Sequence, residues 1–145
     1  MNYDLRNSPN DGSQRMLNAL EPGTVMPIHR HHGSSEAVVI LRGKIRWIFY
    51  DENGVETERV VLDADGDLRM LNVEKDRWHS LECLESGSVL YESKDGQYHP
   101  LEEDEIMVKK IMGSMKSKKI MALVKGCGLF ALFCSYRSEG NRTKR

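Results

Sequence analysis

Short hydrophobic runs separated by turn residues recur along the first two thirds of the chain. Residues 37–41 are a continuous apolar run, typical of a strand covered on both faces, and Gly43 then turns the chain into a second run over 45–50. Residues 51–54 carry a strong hairpin signal. Further strands are predicted over 14–20, 57–62, 68–73, 78–83 and 88–93. About eight short strands without a helical period predict an all-β fold, an antiparallel sandwich or jelly-roll barrel.

Three potential metal ligands lie close together before the first of the central strands. In an extended strand alternate side chains share a face, so His29 and His31 are expected to point the same way and Arg30 the other. A turn over 32–35 returns the chain to a strand that starts at Glu36, whose carboxylate can complete a third corner of the site. The alternative interpretation is a polar loop with surface histidines.

A fourth ligand is available later in the chain. His79 lies in another short β-like run and could reach the same site from across a barrel. The alternative for His79, which follows Trp78, is a half-buried packing residue.

These residues carry a resemblance to a known family. The spacing Gly23-x5-His29-x-His31-x4-Glu36-x6-Gly43 matches the first cupin motif, and residues 78–81 are similar to the end of the second. Residues 3–105, most clearly 14–23 and 92–98, resemble the small bacterial cupin fold metalloproteins of the WbuC family. The resemblance implies a cupin-type antiparallel β-barrel, also called a double-stranded β-helix or jelly roll. It also implies a divalent metal on His29, His31, Glu36 and His79.

The second motif departs from the cupin pattern in one respect. Cupins usually carry Pro-x-Gly ahead of this histidine and often Asn after it, whereas Glu74, Asp76 and Cys83 hold the matching places here. We therefore expect the turn that presents His79 to be built differently.

Charge divides the chain into two parts. Residues 1–105 hold 11 Lys and Arg against 21 Asp and Glu, whereas residues 106–145 hold 10 against 1. We therefore predict a cupin metal-binding domain over 1–105 and a basic C-terminal extension over 106–145, outside the resemblance. The extension could contact an anionic membrane or nucleic acid, pack on the barrel or a partner subunit, or derive from a changed reading frame or lost stop codon. We favour the last two, and expect no nucleic-acid binding because lysine-rich stretches are usually solvated.

Three features of the sequence bear on the location of the protein and on the state of its cysteines. The first six residues have no apolar core of a secretory signal, which favours a cytoplasmic location. The apolar run over 120–136 is interrupted by Lys125 and two glycines and is shorter than the roughly 20 residues of a membrane-spanning helix, so no transmembrane segment is predicted. The cysteines Cys83, Cys127 and Cys134 are odd in number and lack CxxC spacing, which indicates reduced thiols.

Several chemistries fit three imidazoles and a carboxylate. This donor set suits Fe, Mn, Ni, Zn or Cu, and the sequence does not choose among these metals. The resembling family is often encoded near surface-polysaccharide genes and has no firmly assigned reaction. We therefore favour a small metal-dependent enzyme, an isomerase or epimerase, acting on a sugar intermediate of surface-polysaccharide synthesis. The alternatives are an Fe(II)-dependent dioxygenase and a non-enzymatic, metal-containing module that binds a carbohydrate or organic acid.

An enzyme of this kind also needs a general acid or base. The candidates are Arg15, Arg46, Tyr91 and Glu92, on strands whose inward face the sequence leaves open. Tyr91 and Glu92 are neighbours on one strand and point to opposite faces, so at most one of them can serve.

Apolar residues on both faces of one strand bear on assembly. Trp47, Ile48 and Phe49 are consecutive, and a single core face cannot cover all three. We expect a homodimer. The alternative is that the extension covers the second face through apolar residues at 129, 130, 132 and 133.

Overall fold

Two antiparallel β-sheets make up the part of the chain that the computed structural model describes, residues 1–107. The strands are β1 (Asn2–Asp4), β2 (Ser13–Leu20), β3 (Glu36–Arg42), β4 (Lys44–Tyr50), β5 (Glu56–Asp63), β6 (Met70–Val73), β7 (His79–Cys83) and β8 (Ser88–Asp95). A single 3₁₀ turn, Glu103–Glu105, follows them within these residues. The predicted all-β class is therefore confirmed, and the predicted strand limits agree to within about two residues.

The sheets contain five and three strands. The larger has the order β1-β2-β8-β3-β6 and the smaller the order β5-β4-β7. Strands β2 and β8 pair along their whole length, and β8 also pairs with β3, which places the start of β3 beside the end of β8. Non-sequential pairing of this kind is characteristic of a jelly-roll rather than a simple meander.

Alternating burial shows which face of each strand lies inside. In β4, Ile45, Trp47 and Phe49 are buried while Arg46 and Ile48 are only partly covered. Period-two alternation of this kind is expected for a strand with one face on the core. The core joins the inner faces of both sheets and consists of Leu20, Val38, Ile40, Ile45, Trp47, Phe49, Leu62, Val73, Leu81, Cys83 and Leu90.

The histidine segment differs from the regular strand that its spacing predicts. His29 forms only isolated bridges, to His79 on one side and to Ile106 on the other. Pro27 has no backbone N–H, which prevents a continuous ladder through this segment. The pairing that remains is strong, because the N–H groups of His29 and His79 each donate to the other residue's carbonyl at 2.9 and 2.8 Å.

The end of the described chain packs against this segment. Ile106 and Met107 are both buried, and the Met107 N–H donates to the Ile28 carbonyl at 2.9 Å. The predicted extension from residue 108 onward, with its apolar residues and two of the three cysteines, lies outside the described residues. Within residues 1–107, no helix has the length and hydrophobicity needed to cross a membrane.

Candidate metal centre

Three imidazole rings converge at one end of the space between the sheets. One nitrogen from each of His29, His31 and His79 lies within 4.8 Å of the other two, which is close enough for one metal ion. His29 and His79 face each other across their isolated backbone bridge, which brings together residues fifty positions apart. His79 is almost completely buried, whereas the side chain of His31 keeps 15% of its surface exposed.

Backbone carbonyls orient two of these rings. The Nδ1 atom of His29 lies 3.0 Å from the Pro27 carbonyl oxygen, and that of His79 lies 2.8 Å from the Arg77 carbonyl oxygen. A carbonyl only accepts hydrogen bonds, so Nδ1 donates in both rings and the lone pair of the neutral ring is on Nε2. Metal-bound histidines commonly have this arrangement.

Glu36 adds a carboxylate to the imidazole cluster. Its Oε2 atom lies 3.3 Å from Nε2 of His31 and 3.7 Å from Nε2 of His79, and the residue is 3% exposed. Among the described residues, neither Oε2 of Glu36 nor Nε2 of His79 has a hydrogen-bond partner. Buried acceptors without partners are costly, and a cation between them would remove that cost. The donor set therefore fits a divalent metal.

Glu92 and Lys94 lie next to this cluster on β8. Lys94 pairs in register with Glu36. Its Nζ atom lies 2.9 Å from Oε1 of Glu92, 3.1 Å from Nε2 of His31 and 3.9 Å from Oε2 of Glu36. Asn18 donates from Nδ2 to Oε2 of Glu92 at 2.9 Å, which fixes the Glu92 carboxylate from the neighbouring strand.

Burial and mutual charge change the protonation of these groups. Burial, helped by the other two rings, holds the pKa of His29 well below its usual range, and burial also lowers the pKa of His79. Both imidazoles are therefore neutral at pH 7, as ligands must be. Burial and repulsion from Glu36 raise the pKa of Glu92 to about 7. Burial alone would raise the pKa of Glu36, but Lys94, His31 and His79 outweigh it and hold that pKa well below its usual value.

The turn before His79 adopts a conformation that normally favours glycine. Asp76 has a φ of 63°, the only positive φ at a non-glycine residue in the described chain. Its N–H donates to the His31 carbonyl at 2.9 Å, which ties the turn to the histidine segment. Aspartate therefore adopts here a backbone conformation that glycine takes at lower cost, and the expected difference from the turn of the family motif stays a prediction.

The outer side of the His29–His79 bridge is covered by an aromatic contact. The Arg30 guanidinium lies 4.3 Å from the centre of the Trp78 ring, a cation–π distance. Arg30 therefore points away from the imidazole cluster, as its position between His29 and His31 predicts.

A cavity of about 300 Å³ opens next to the cluster. Trp47 is one of the lining residues, and its ring stacks on that of His79 with the ring centres 5.5 Å apart. The lining combines polar and apolar residues, among them Gln14, Met16, Met26, His29, His31, Glu36, Trp47, His79, Glu92, Lys94, Gln97, Tyr98, His99 and Leu101. A small, partly apolar cavity with a few convergent polar groups is typical of a small-molecule site.

The predicted site residues fall into two groups. The structure brings His29, His31, Glu36, His79 and Glu92 to one cavity. Among the described residues, the cavity lining does not include the other three candidates, Arg15, Arg46 and Tyr91. Arg15 instead forms an ion pair with Asp11, and Arg46 forms one with Glu82.

Sequence reasoning missed Lys94 and Asn18. The signal available for Lys94 was the alternation along β8, which places it on the same face as the candidate Glu92. Asn18 has the equivalent signal in β2, where it shares a face with the buried Leu20.

Comparison with known families gives a partial match. A family model described as a domain of unknown function (DUF6016) matches residues 1–62, a segment that holds His29, His31 and Glu36 but not His79. Among curated proteins, no sequence matches the chain significantly.

Solved structures with similar folds include two kinds of protein. The capsular polysaccharide assembling protein CapF from Staphylococcus aureus is 20% identical, with a TM-score of 0.59 over 73% of this chain and 29% of its own. A formate complex of Lactobacillus farciminis oxalate decarboxylase is 17% identical, with a TM-score of 0.56 over 86% of this chain and 36% of its own. A variant of Bacillus subtilis oxalate decarboxylase OxdC is 19% identical, with a TM-score of 0.53 over 79% and 29%.

This chain thus spans about a third of the length of these neighbours. At such identities the likeness concerns the fold. Both kinds of neighbour are cupins, and the two antiparallel sheets described above have the same architecture, so this protein has the cupin β-barrel fold.

Proposed function

We propose that His29, His31, His79 and Glu36 bind one divalent transition metal. The observation that carries this proposal is the convergence of buried acceptors: three neutral imidazoles and the Oε2 atom of Glu36 share a site where two of the acceptors have no partner. When bound, such a metal would act as a Lewis acid toward an oxygen of a small molecule in the adjacent cavity.

We further propose that the protein is a metal-dependent enzyme of the isomerase or epimerase type. Glu92 supports this because its carboxylate lines the same cavity and is held in place by Asn18 and Lys94. It can take a proton from a substrate carbon next to a carbonyl group and return a proton to that or a neighbouring carbon. Trp47 and Met16 contribute apolar surface to the cavity lining, and exclusion of water by such surface would protect the intermediate from side reactions.

A sugar is the substrate class that we favour. The resemblance to the WbuC family supports it, since that family is often encoded near surface-polysaccharide genes. The shared fold with a capsular polysaccharide assembling protein is consistent with it. The polar part of the lining, which includes Gln14, Gln97 and His99, offers hydrogen bonds to several hydroxyl groups.

Metal content is the first test of this proposal. Protein purified without added metal or a chelating tag is measured by elemental mass spectrometry, beside a His29→Ala/His31→Ala double variant. We expect about one equivalent of metal in the unaltered protein and loss of it in the variant. His32→Ala is the matched control, because His32 is adjacent in sequence but pairs with Asp76 outside the cluster. Absence of metal even after reconstitution would overturn the metal site.

Proton exchange tests the proposed reaction. A panel of aldoses and ketoses is incubated with the metal-loaded protein in D₂O, and solvent deuterium at carbon is followed by NMR. We expect deuterium incorporation that falls at least about a hundredfold in Glu92→Gln and is unchanged in Glu82→Gln, whose carboxylate pairs with Arg46 outside the cavity. Exchange that survives in Glu92→Gln would exclude Glu92 as the base. Consumption of O₂ by an iron-loaded sample, with none by a zinc-loaded one, would favour the dioxygenase alternative.

A further inference from the structure

Among the described residues that line the candidate site, Lys94 is the one Lys or Arg, and its side chain is only 13% exposed. Lysine is rarely buried without an anionic partner. Its ammonium donates to Glu92 at 2.9 Å and lies 3.1 Å from Nε2 of His31, so two of its three N–H groups have acceptors in the described structure. Lys94 itself lines the cavity, and the next acceptor given for its ammonium, Oε2 of Glu36, lies 3.9 Å away, beyond hydrogen-bond distance.

Metal binding would change this arrangement, and this step rests on the function proposed above. When Nε2 of His31 binds a metal, it can no longer accept a hydrogen bond from Lys94. Glu92 still retains the ammonium. At least one N–H of Lys94 then needs a new acceptor next to the metal, because an unsatisfied charged donor in a buried site is costly.

The charges at the site favour an acceptor that is an anion. A divalent metal and Lys94 contribute three positive charges, while Glu36 and Glu92 contribute at most two negative ones. Asp95 also lines the cavity, but it is exposed to solvent, which screens its charge. The metal-loaded site therefore has an excess of positive charge in a small and partly apolar cavity, where charge interactions are stronger than in water.

We propose that Lys94 binds the carboxylate of a hydroxy-acid substrate beside the metal. A carboxylate with a neighbouring hydroxyl group supplies the anion that Lys94 lacks, together with adjacent oxygens of the kind that a hard or borderline metal binds. Two sources share this chemistry, namely a sugar acid and a short hydroxy acid. Lys94 is in this role a positioning and specificity-determining residue, and the ligand carboxylate shares its ammonium with Glu92.

Calorimetry on the zinc-loaded full chain tests the proposal without an activity assay. The paired ligands are lactate against its neutral isostere lactamide, and gluconate, a sugar acid with a hydroxyl group beside its carboxylate, against the neutral polyol sorbitol. We expect each acid to bind at least about tenfold more tightly than its neutral partner, the effect of one hydrogen bond to a charged group. Tighter binding of gluconate than of lactate would identify a sugar acid, and the reverse would identify a short hydroxy acid.

Three variants assign the preference to Lys94. In Lys94→Met we expect the acid-to-neutral preference to fall about tenfold or more while one equivalent of zinc is retained. Lys44→Met removes a lysine that pairs with Asp63 on the surface, and it should leave the preference unchanged. In Glu92→Gln the competing carboxylate is removed, so binding of the acids should be retained or become tighter.

The outcomes separate this inference from the proposed function. Failure of the unaltered protein to bind zinc would overturn the metal site itself. Normal zinc binding with equal affinity for acids and neutral partners would overturn the role of Lys94 alone. An unchanged preference in Lys94→Met, or in Lys94→Gln should the first variant not fold, would do the same.

Discussion

At the scale of single residues, Glu105 fixes the segment that carries two of the three histidines. Its side chain is 1% exposed, and its carboxylate accepts the N–H of His32 at 3.0 Å and that of Glu102 at 2.9 Å. Its own carbonyl accepts the N–H of Arg30 at 3.0 Å. One residue after the last strand therefore satisfies three backbone donors, two of which belong to the histidine segment.

Replacing Glu105 should destabilise the fold and weaken the site. Glu105→Ala leaves two partly buried N–H groups without their acceptor, which costs up to about 1–3 kcal/mol for each group that water does not reach. We expect a lower free energy of unfolding in urea and weaker zinc binding. The matched control is Glu103→Ala, which removes an exposed carboxylate from the same turn. Equal effects of the two substitutions would contradict this role.

The same residue predicts a pH dependence. Burial alone would raise the pKa of Glu105, but the N–H groups of Glu102 and His32 outweigh it and lower that pKa below the usual 4.5. The folded protein therefore favours the ionised form of Glu105. The stability that the ionised carboxylate contributes is complete at pH values above the pKa in the unfolded chain, and it is lost as the pH falls through the lower pKa of the folded protein. The difference in unfolding free energy between the unaltered protein and Glu105→Ala should shrink over that acid range. A difference that grows on acidification would contradict the prediction.

Residue spacing predicted the imidazole cluster and Glu36 because the strand period of two acts directly on neighbouring positions. It could not show the partners of Lys94, since the contact with Glu36 joins residues 58 positions apart through strand register. Register depends on which turns and bulges form, and a shift of one residue would have placed Lys94 outside. For the same reason the sequence does not show which set of alternate residues in β8 faces the inside of the barrel. The structure brings Glu92 rather than Tyr91 to the cavity.

At the scale of elements, the turn before β7 determines how His79 enters the site. Asp76 adopts a left-handed backbone conformation there, and such a conformation costs a non-glycine residue about 1 kcal/mol. We expect Asp76→Gly to be more stable than Asp76→Ala by about that amount. Both variants lose the exposed contact to His32, so their difference isolates the backbone conformation. Equal unfolding midpoints would contradict this explanation.

The turn between β3 and β4 is more restrictive. Gly43 has a φ of 73°, and an added Cβ would lie 3.0 Å from Cα of Ser88 and nearer still to its hydroxyl oxygen. Gly43→Ala should therefore cost about 1–3 kcal/mol of stability through both backbone strain and crowding. Gly12→Ala is the control, because a Cβ there meets no atom within 4 Å. Thermal unfolding of the two variants makes the comparison, and similar melting temperatures would argue against the constraint.

The strands themselves were largely predictable, whereas the histidine segment was not. Alternation and continuous apolar runs act within a few residues and located β2 to β8. The segment around His29 lacks a ladder of its own and is held by His79 and Ile106, which come from distant parts of the chain. A pattern of neighbouring residues carries no information about contacts between distant parts of the chain.

At the scale of the whole molecule, the end of the described chain packs against the segment that carries His29. Ile106 bridges His29 and Met107 is bonded to Ile28, so two residues beyond the predicted division at residue 105 contact the histidine segment. We expect a chain ending at residue 107 to keep zinc binding, and a chain ending at residue 104 to lose stability together with zinc affinity. Elemental analysis and thermal unfolding of both chains make the test. Equal behaviour of the two would show that these contacts are dispensable.

Assembly can be measured on the same chains. The homodimer stays a prediction, and light scattering of the full chain and of residues 1–107 distinguishes its two explanations. A dimer in both supports association through the sheets. Aggregation of the shorter chain alone would favour the extension as the cover of an apolar face.

The reciprocal backbone bonds between His29 and His79 have a consequence for redesign. These two bonds hold the Cα positions of the facing ligands through peptide groups alone, independently of which side chains project from them. The scaffold can therefore accept other donor atoms at both positions without a new backbone. Aspartate or cysteine at residue 29 or 79 would change the hardness of the donor atoms, while the backbone from which these side chains project stays in place. The metal preference of the proposed site could thus be altered one residue at a time without redesign of the barrel.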